Sequence, residues 1–198
     1  HVPGFSTTVR PRVLLIHHSE NVTVEGVTLS DSHGWTATLL NATNVLLSHI
    51  RIFGDWRWPN NDGIDPCSST NVTIQFADIS TGDDCISPKS PLQLPDGTYQ
   101  PMRGLVVRHC RLRSRSFAVK IGTETHGNMS DLLFDHLQIY NSHQGVGIDW
   151  QHGGALSNAV FQNIVAWGAA SGDLERDRPL SSEADAEPPV SAPEAASA

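Results

Sequence analysis

The sequence predicts an all-β protein, a right-handed parallel β-helix that forms a single-stranded β-solenoid of about six coils. Three observations predict it. Helix-favouring runs are nearly absent while glycine is frequent, Val, Ile and Leu come in short bursts, and one nine-residue pattern recurs six times. A length of 198 residues is enough for one domain with its own core.

The repeated pattern is a turn-forming residue followed by apolar residues that alternate around two polar ones. Its copies start 23, 27, 33, 27 and 27 residues apart, a period typical of solenoids. One coil cannot bury its own apolar face, whereas stacked coils form a continuous core. Leucine-rich repeats would show a leucine ladder and a helical arm, and a β-sandwich would show unevenly spaced strands. The six copies are NVTVEGVTL from Asn21, NVLLSHIRI from Asn44, NVTIQFADI from Asn71, GLVVRHCRL from Gly104, DLLFDHLQI from Asp131 and NAVFQNIVA from Asn158.

A second strand is expected in each coil after the first. In one coil this place is taken by NDGID, and matching Ile64 to Ile86 puts Asp62 in the same column as Asp84. Parallel strands lie about 4.8 Å apart, so these two carboxyl groups should be neighbours. We expect Asp83 to point to the other side of the pleat unless the backbone turns there. The later second strands are DDCISP from Asp83, SFAVKI from Ser116 and HQGVGI from His143.

The folded domain is expected to span residues 1–170, followed by a disordered acidic tail of Ala, Pro, Ser and Glu over residues 171–198. The formal net charge is −8, but seven acids and two arginines lie in the tail, so five of those negative charges belong to it. No basic patch with interleaved aromatic residues indicates a nucleic-acid partner. No apolar run approaches the length of a membrane span. We therefore expect a monomer with neither of these partners.

The three cysteines, Cys67, Cys85 and Cys110, are an odd number without a CxxC pair. They favour neither a zinc site nor a disulfide framework. Because the sequence does not begin with Met, the missing signal peptide carries no information about secretion.

Four aspartates form two clusters, Asp62 with Asp65 and Asp83 with Asp84, around one strand-like segment. Close carboxylates suit calcium binding by hard oxygen ligands. They equally suit glycoside hydrolysis, in which one protonated carboxyl serves the leaving oxygen and another carboxylate activates water. Like charges at close range raise the pKa of one member and keep it protonated. A ladder of turn-capping Asn and Asp residues is the third interpretation, and it stays open for Asp65, which precedes a proline.

The stretch NNDGID, followed one coil later by GDDCIS, closely resembles the polygalacturonase family, glycoside hydrolase family 28, and the resemblance extends over about residues 10–168. Members of that family carry an Asn-Thr-Asp and an Asp-Asp motif on consecutive coils of a right-handed parallel β-helix. The resemblance implies a secreted, inverting hydrolase of a pectin-type cell-wall polysaccharide, with no cofactor and no metal. It implies that Asp83 is the general acid and that Asp62 and Asp84 position and deprotonate the water. Catalytic domains of the family are longer, so a fragment of one is also an expectation.

The sequence departs from the family pattern at two places. The family's Gly-His-Gly motif has a histidine that supports the acid, and Phe117 occupies that position here. The family's Arg-Ile-Lys motif grips the substrate carboxylate, and here Gly147 and Asp149 replace its two cations. Repulsion between Asp149 and a uronate would oppose binding, so we expect a neutral sugar, rhamnose-linked or otherwise, rather than plain homogalacturonan. Lys120 is a candidate for replacing the lost positive charge, and a solvated lysine is the alternative.

Further candidates surround this site. Lys89, just after the Asp-Asp pair, resembles a lysine of the family and is expected to form salt bridges with the acids. Glu124, His126 and His152 lie where loops leave the sheet, and each is also compatible with a surface role. Tryptophans such as Trp150 suit stacking on a sugar ring or packing against a coil. The predicted substrate-binding set is Lys89, Lys120, Glu124, His126, Asp149, Trp150 and His152, and the other tryptophans considered are Trp56 and Trp58. The repeat histidines, His49, His109 and His136, are expected at the surface.

Two alternative functions stay open at this point. A lyase on the same architecture needs a basic residue beside calcium-binding acids, and no Arg lies next to the Asp-Asp pair in the sequence. A catalytically silent carbohydrate-binding or structural β-helix is consistent with the short chain, although uncapped solenoid ends expose strand edges.

Overall fold

The computed structural model describes residues 11–168, and every regular element in that range is a β-strand. The all-β prediction is confirmed, and the described range has no helix of a kind that could cross a membrane. The predicted tail and the outermost residues of the predicted domain lie outside the described residues. The strands are β1 (Leu14–His17), β2 (Glu20–Glu25), β3 (Thr28–Ser30), β4 (Ala37–Leu40), β5 (Thr43–Ser48), β6 (Arg51–Phe53), β7 (Ile64–Cys67), β8 (Thr70–Gln75), β9 (Asp78–Thr81), β10 (Met102–Ser114), β11 (Phe117–Thr123), β12 (Met129–Tyr140), β13 (Gln144–Trp150) and β14 (Leu156–Trp167).

The six copies of the repeat stack into one parallel sheet. Val22 of β2 lies opposite Val45 of β5, which lies opposite Val72 of β8. The same column continues through Leu105 of β10 and Leu132 of β12. Each copy therefore occupies the same place in its coil, and the predicted parallel β-helix of about six coils is confirmed.

A second sheet carries the candidate site. Strands β1, β4 and β7 pair in parallel, as do β11 and β13. Between these groups, Ile86 forms single bridges to Ile64 on one side and to Val119 on the other. The predicted strand from Asp83 is thus reduced to isolated bridges, because the backbone bends at Asp83 and Pro88 lacks an N–H to donate.

The interior of the solenoid is a ladder of apolar side chains. In the central coils Leu47, Ile74 and Phe134 form one inward-facing column and are fully buried. In the outermost described coils the corresponding Val24 and Phe161 are only partly buried. Because burying apolar area is the main favourable contribution, stacking of coils stabilises the fold more than any single coil does.

Each coil turns at a left-handed residue at the start of the repeat. Asn21, Asn44 and Asn71 have φ angles of 57°, 54° and 55°, a region that Asn tolerates better than most residues. Asn44 Nδ2 donates a hydrogen bond to Asn21 Oδ1 (3.1 Å), and Asn71 Nδ2 donates to Asn44 Oδ1 (3.2 Å). A local turn signal in the sequence thus becomes a hydrogen-bonded ladder along the helix.

A second left-handed column carries a ladder of rings. His49, Phe76, His109 and His136 have φ angles of 53°, 52°, 53° and 50°. Their ring centroids are 5.0, 5.2 and 4.9 Å apart from one rung to the next. The histidines are exposed, as predicted, but they lie at a bend that divides the repeat into two strands in the first three coils. A groove of about 390 Å³ beside this ladder includes none of the predicted site residues, and its lining is Gly26, Thr28, His49, Arg51, Phe76 and Asp78.

Candidate active site

Asp62 and Asp84 lie on adjacent coils in the same column of the second sheet. The bridge between Ile64 and Ile86 fixes this register. The backbone N–H of Gly63 donates a hydrogen bond to the carbonyl oxygen of Asp84 at 2.8 Å. The register predicted from the sequence is confirmed, and both aspartates are 3% exposed.

Asp83 is half-buried, and its side chain is turned toward the preceding coil. Its Oδ2 accepts a hydrogen bond from the backbone N–H of Asn60 (2.8 Å), and its Oδ1 accepts one from the backbone N–H of Asp84 (3.0 Å). The carbonyl oxygen of Asp83 accepts hydrogen bonds from the Thr81 and Ser114 hydroxyls, each at 2.7 Å. These bonds fix a bend at Asp83 and hold its side chain against Asn60, two residues before Asp62.

A buried lysine lies behind the carboxyl groups. Lys89 Nζ is 2.7 Å from Asp65 Oδ1 and 3.3 Å from Asp62 Oδ2, and it donates to Ser87 Oγ at 2.7 Å. The ring of Trp35 covers it, with Nζ 4.5 Å from the ring centroid, a cation–π contact. The expected ion pairs of Lys89 are present, and the nearest partner is Asp65, which the sequence left open as a turn-capping residue.

Burial and neighbouring charges raise the pKa values of these acids. Burial, followed by repulsion from Asp65, raises the pKa of Asp62 well above its ordinary value, although Lys89 opposes the shift. Burial raises the pKa of Asp65 to about 6 despite the same lysine. Burial, followed by repulsion from Asp83, also raises the pKa of Asp84. The cluster therefore retains a proton at a pH where an exposed aspartate would have lost it.

The second lysine lies on the other side of Asp84. Lys120 Nζ is 3.5 Å from Asp84 Oδ2 and 3.8 Å from Asp149 Oδ2, and its side chain is 16% exposed. The chain contains only two lysines, Lys89 and Lys120, and both border the carboxyl cluster. The acid expected to repel a uronate, Asp149, is thus paired with a cation that it shares with Asp84.

Phe117 and Gly147, the two departures noted in the sequence, fit against each other. Phe117 follows Asp84 in the column, and its backbone N–H donates to Asp84 Oδ1 at 3.2 Å. Its ring occupies the space over Gly147, so that a Cβ at position 147 would overlap the ring. Lys120 Nζ lies 5.3 Å from the centroid of the same ring. An apolar ring beside a paired cation therefore forms the wall next to Asp84.

Two of the loop candidates, His126 and His152, belong to a stack of rings. His126 lies between Tyr99, at a centroid distance of 4.8 Å, and His152, at 3.8 Å. His152 Nδ1 is 3.0 Å from the carbonyl oxygen of Thr123, and Glu124 is half-buried beside it. Sequence reasoning missed Tyr99, because it lies in an insertion that follows no repeat.

The tryptophans considered for sugar stacking each contact another part of the protein. Trp56 is 7% exposed, and the Arg113 guanidinium lies 4.1 Å from its ring centroid. Trp150 is half-buried, and its Nε1 donates to the carbonyl oxygen of Gly154 at 2.9 Å. Trp58 is half-buried. Packing against a coil, the alternative that the sequence left open, describes Trp56 well.

The thiol groups of residues 11–168 are buried, and no metal site is formed there. In that range no set of three or more His, Cys, Asp or Glu side chains is arranged to hold a metal ion. Cys67, Cys85 and Cys110 are buried free cysteines. Burial raises the pKa of Cys85 and of Cys110 to about 12, which keeps these thiols protonated and unreactive.

Comparison with known protein families gives one match that covers most of the chain. The model of glycosyl hydrolases family 28 matches residues 4–171. A probable polygalacturonase of Vitis vinifera is 31% identical over 141 residues, which are 70% of this chain and 29% of the relative. An endo-polygalacturonase of Pectobacterium parmentieri is 27% identical over 157 residues, 78% of this chain and 37% of the relative. The chain therefore spans about a third of the length of these relatives.

Solved structures give the same picture of the fold. A hyperthermoactive exopolygalacturonase of Thermotoga maritima superimposes with a TM-score of 0.67 and 27% identity, over 80% of this chain and 38% of that one. A family 28 exopolygalacturonase of Yersinia enterocolitica gives a TM-score of 0.69 with 22% identity, over 79% and 28% respectively.

Proposed function

Because the chain belongs to family 28 of the glycosyl hydrolases, we propose that it hydrolyses glycosidic bonds of a pectin-type or related polysaccharide by an inverting mechanism. One observation carries the proposal: Asp62, Asp83 and Asp84 come together from two coils in different surroundings. Inversion requires one carboxyl group that donates a proton and another that takes one from water. Three neighbouring carboxyl groups with unequal burial supply both roles.

Asp83 acts as the general acid in this mechanism. It is the most exposed of the three carboxyl groups and therefore the one that a polymer reaches first. Its proton passes to the glycosidic oxygen as the bond from that oxygen to the anomeric carbon breaks. A water molecule positioned by Asp62 and Asp84 attacks the anomeric carbon from the opposite face and loses its proton to this pair. The product has the inverted anomeric configuration, and Asp83 regains a proton from solvent.

The wall beside Asp84 supports a neutral sugar at the cleavage site. A uronate carboxylate would meet Asp84 and Asp149 there, and the nearby cation, Lys120, already contacts both. The Phe117 ring, packed over Gly147, offers apolar surface where the resembling family has charged side chains. A sugar with an apolar face or a methyl group, such as a rhamnose-type residue, suits this wall better than plain homogalacturonan does.

We further propose that the protein works without a cofactor, outside the cell and as a monomer. The carboxyl chemistry needs neither a metal ion nor a cofactor. A cell-wall polysaccharide lies outside the cell, so we propose an extracellular protein. We propose that it acts as a monomer.

A carbohydrate-binding β-helix without catalysis is the second candidate, and one observation favours it. Phe117 stands at the position where the resembling family has the histidine that supports the acid, and its backbone N–H contacts Asp84. A phenyl ring has no titratable group and cannot adjust the pKa of a general acid as a histidine can. In this case the chain would bind polysaccharide without cleaving it.

One experiment separates the candidates. The chain is incubated with a panel of pectic polysaccharides, including homogalacturonan and rhamnose-containing polymers, and new reducing ends are measured. Hydrolysis that is abolished in Asp83→Asn and retained in the exposed loop variant Asp96→Asn supports the hydrolase. Proton NMR of the first product identifies the anomer, and retention of configuration would overturn the inverting mechanism. Binding without new reducing ends supports the silent β-helix, and an unsaturated product that absorbs ultraviolet light would indicate a lyase.

A further inference from the structure

The buried cluster of Asp62, Asp65 and Lys89 contains two acids for one base. Lys89 Nζ lies 2.7 Å from Asp65 Oδ1 and 3.3 Å from Asp62 Oδ2. Asp65 is fully buried, and Asp62 and Lys89 are each 3% exposed. If both acids were ionised, the cluster would hold an uncompensated negative charge away from water. Such a charge is strongly unfavourable unless a proton neutralises it.

The hydrogen bonds of the cluster lack one donor. Asp62 Oδ1 and Asp65 Oδ2 are both buried, and neither has a hydrogen-bond partner among the described residues. Buried polar atoms without a partner are rare in folded proteins. The two carboxyl groups lie side by side, because their other oxygens, Asp65 Oδ1 and Asp62 Oδ2, contact the same Lys89 Nζ at 2.7 and 3.3 Å. A single proton held between them therefore supplies the missing donor and removes the excess charge.

The other charges around the pair point the same way. Asp83 and Asp84 repel a negative charge on Asp62, and Asp84 also repels one on Asp65. Burial alone would lower the pKa of Lys89, but the attraction of Asp65 and Asp62 outweighs it and raises that pKa, so the lysine stays charged. Hence Lys89 keeps its own proton, and the proton of the pair is an additional one held by the carboxyl groups. The titratable groups that face the pair or its lysine are Lys89, Asp83, Asp84, Glu124 and Cys67.

We propose that Asp62 and Asp65 share one proton above Lys89, so that Asp62 orients the attacking water and Asp84 takes the proton from it. The inference rests on the proposed hydrolase function and divides its two water-handling acids into separate roles. Asp62 already shares a proton with Asp65, so it is less able than Asp84 to take a proton from water. Asp84 lies outside the shared pair and beside the cation of Lys120. Asp65 and Lys89 are positioning residues.

The step balances without any further reactant. The water oxygen bonds to the anomeric carbon, and one water proton passes to Asp84. The glycosidic bond breaks, and its oxygen takes the proton of Asp83. The proton between Asp62 and Asp65 remains in place, and exchange with solvent returns Asp83 and Asp84 to their starting states.

Infrared spectroscopy of the full chain tests the shared proton directly. A protonated carboxyl group has a carbonyl stretch separate from the bands of ionised carboxylates and of amides. At pH 7 we expect Asp62→Asn and Asp65→Asn each to lose the signal of one protonated carboxyl, because the single acid left beside Lys89 ionises. The double variant should lose no more signal than either single one. Asp135→Asn is the control, because a pKa of about 2 keeps that acid ionised and its replacement removes no such signal.

A carbonyl signal in Asp65→Asn that is as strong as in wild type, or two separate losses in the double variant, would overturn the proposal. The amide band of the same spectrum reports β-sheet content and so identifies a variant that does not fold. If a variant fails to fold, the spectrum of Asp83→Asn decides, because that variant lacks the proton of the proposed general acid. The proposal then requires a protonated-carboxyl signal in Asp83→Asn at pH 7 that disappears at higher pH, and absence of that signal overturns it. None of these measurements needs turnover, so they remain valid even if no polysaccharide is cleaved.

A kinetic readout separates positioning from mere structural support. In Asp65→Asn, Asp62 pairs with Lys89 alone, so its pKa falls. Ionised Asp62 can then take the water proton at a pH where Asp84 is protonated, so we expect the acid limb of the kcat profile to move to lower pH while KM changes little. An unmoved acid limb in a folded Asp65→Asn protein would show that Asp65 has no positioning role.

Discussion

The ring of Phe117 occupies the space directly over Gly147 on the next coil. The Phe117 ring fits only because residue 147 is a glycine, since a Cβ at position 147 would overlap the ring. Two features that are 30 positions apart in the sequence are thus one contact in the wall beside Asp84.

Replacing Gly147 by alanine should lower the free energy of unfolding by about 1–3 kcal/mol, because the new methyl group overpacks against Phe117. In a Phe117→Ala background the same change should have little effect, which corresponds to a coupling energy of about 0.5–3 kcal/mol. Chemical denaturation of the four proteins measures both quantities. Gly145→Ala, on the same strand, is the matched control, since the nearest atom to its Cβ is 3.9 Å away. Equal penalties in both backgrounds would refute the contact.

Lys120→Gln should move the acid limb of hydrolysis to higher pH. Lys120 lowers the pKa of Asp84 against the effect of burial, so its removal raises that pKa further. In the proposed mechanism Asp84 must be ionised to take a proton from water, and in the variant it ionises only at higher pH. The measurement is kcat/KM against pH. Arg108→Gln, an exposed cation that contacts Gln75, is the control and should leave the profile unchanged. A shift toward lower pH would contradict the assignment.

Asp65 should make the fold less stable as the pH rises from about 4 to about 6. Its pKa of about 6 in the folded chain exceeds its ordinary value of 3.8, so the folded state binds the proton more tightly. The resulting stabilisation is complete below the unfolded pKa and is lost as the pH rises through the folded one. Thermal unfolding against pH should therefore be flatter in Asp65→Asn, by at most about 3 kcal/mol over this range. Asp135→Asn is the control and should leave the slope between pH 4 and 6 unchanged, because the pKa of Asp135 is lowered to about 2 and its own pH dependence lies below this range. Identical slopes for wild type and Asp65→Asn would count against the buried acid.

Lys89→Met should destabilise the protein by about 3–5 kcal/mol at pH 8, because two buried acids lose their cation. The loss should be smaller at pH 5, where Asp65 is protonated and needs no cation. Urea unfolding at the two pH values gives the comparison. Lys120→Met, which removes a partly exposed lysine, should cost less at pH 8. A loss that is independent of pH would mean that packing under Trp35, and not charge, is what Lys89 provides.

A triple variant, Phe117→His with Gly147→Arg and Asp149→Lys, should shift the preference between substrates toward homogalacturonan by about tenfold or more, equivalent to about 1.4 kcal/mol. It removes the apolar ring and supplies cations where the wall now has Asp149. The ratio of kcat/KM on homogalacturonan and on a rhamnose-containing polymer measures the shift. The single variant Asp149→Lys is the control, because Phe117 still fills the space over Gly147. An unchanged ratio in the triple variant would show that this wall does not select the sugar.

The repeat predicted the backbone far better than it predicted side-chain contacts. The alternation of apolar residues determines which residue of one coil lies opposite which residue of the next, so the pairing of Val22 with Val45 followed directly. The same argument placed Asp62 beside Asp84. Burying an apolar face leaves almost no freedom in register, because a shift by one residue would turn that face to water.

Structural features that do not follow the repeat could not be predicted from the sequence. The bend that turns Asp83 toward Asn60 depends on hydrogen bonds from residues on other coils. The closer approach of Lys89 to Asp65 than to Asp62 is a matter of side-chain conformation, which periodicity does not constrain. Tyr99 lies in an insertion, and an insertion has no counterpart in the neighbouring coils to predict its position.

The scarcity of lysine gives this chain a practical use. Trp35 seals one of the two amino side chains, and the other is partly open beside Asp84. An amine-directed dye or crosslinker therefore has a single lysine to modify, Lys120, with no engineering of the remaining surface. If the proposed polysaccharide binds beside Asp84, a fluorophore attached there would report its arrival through a change in emission.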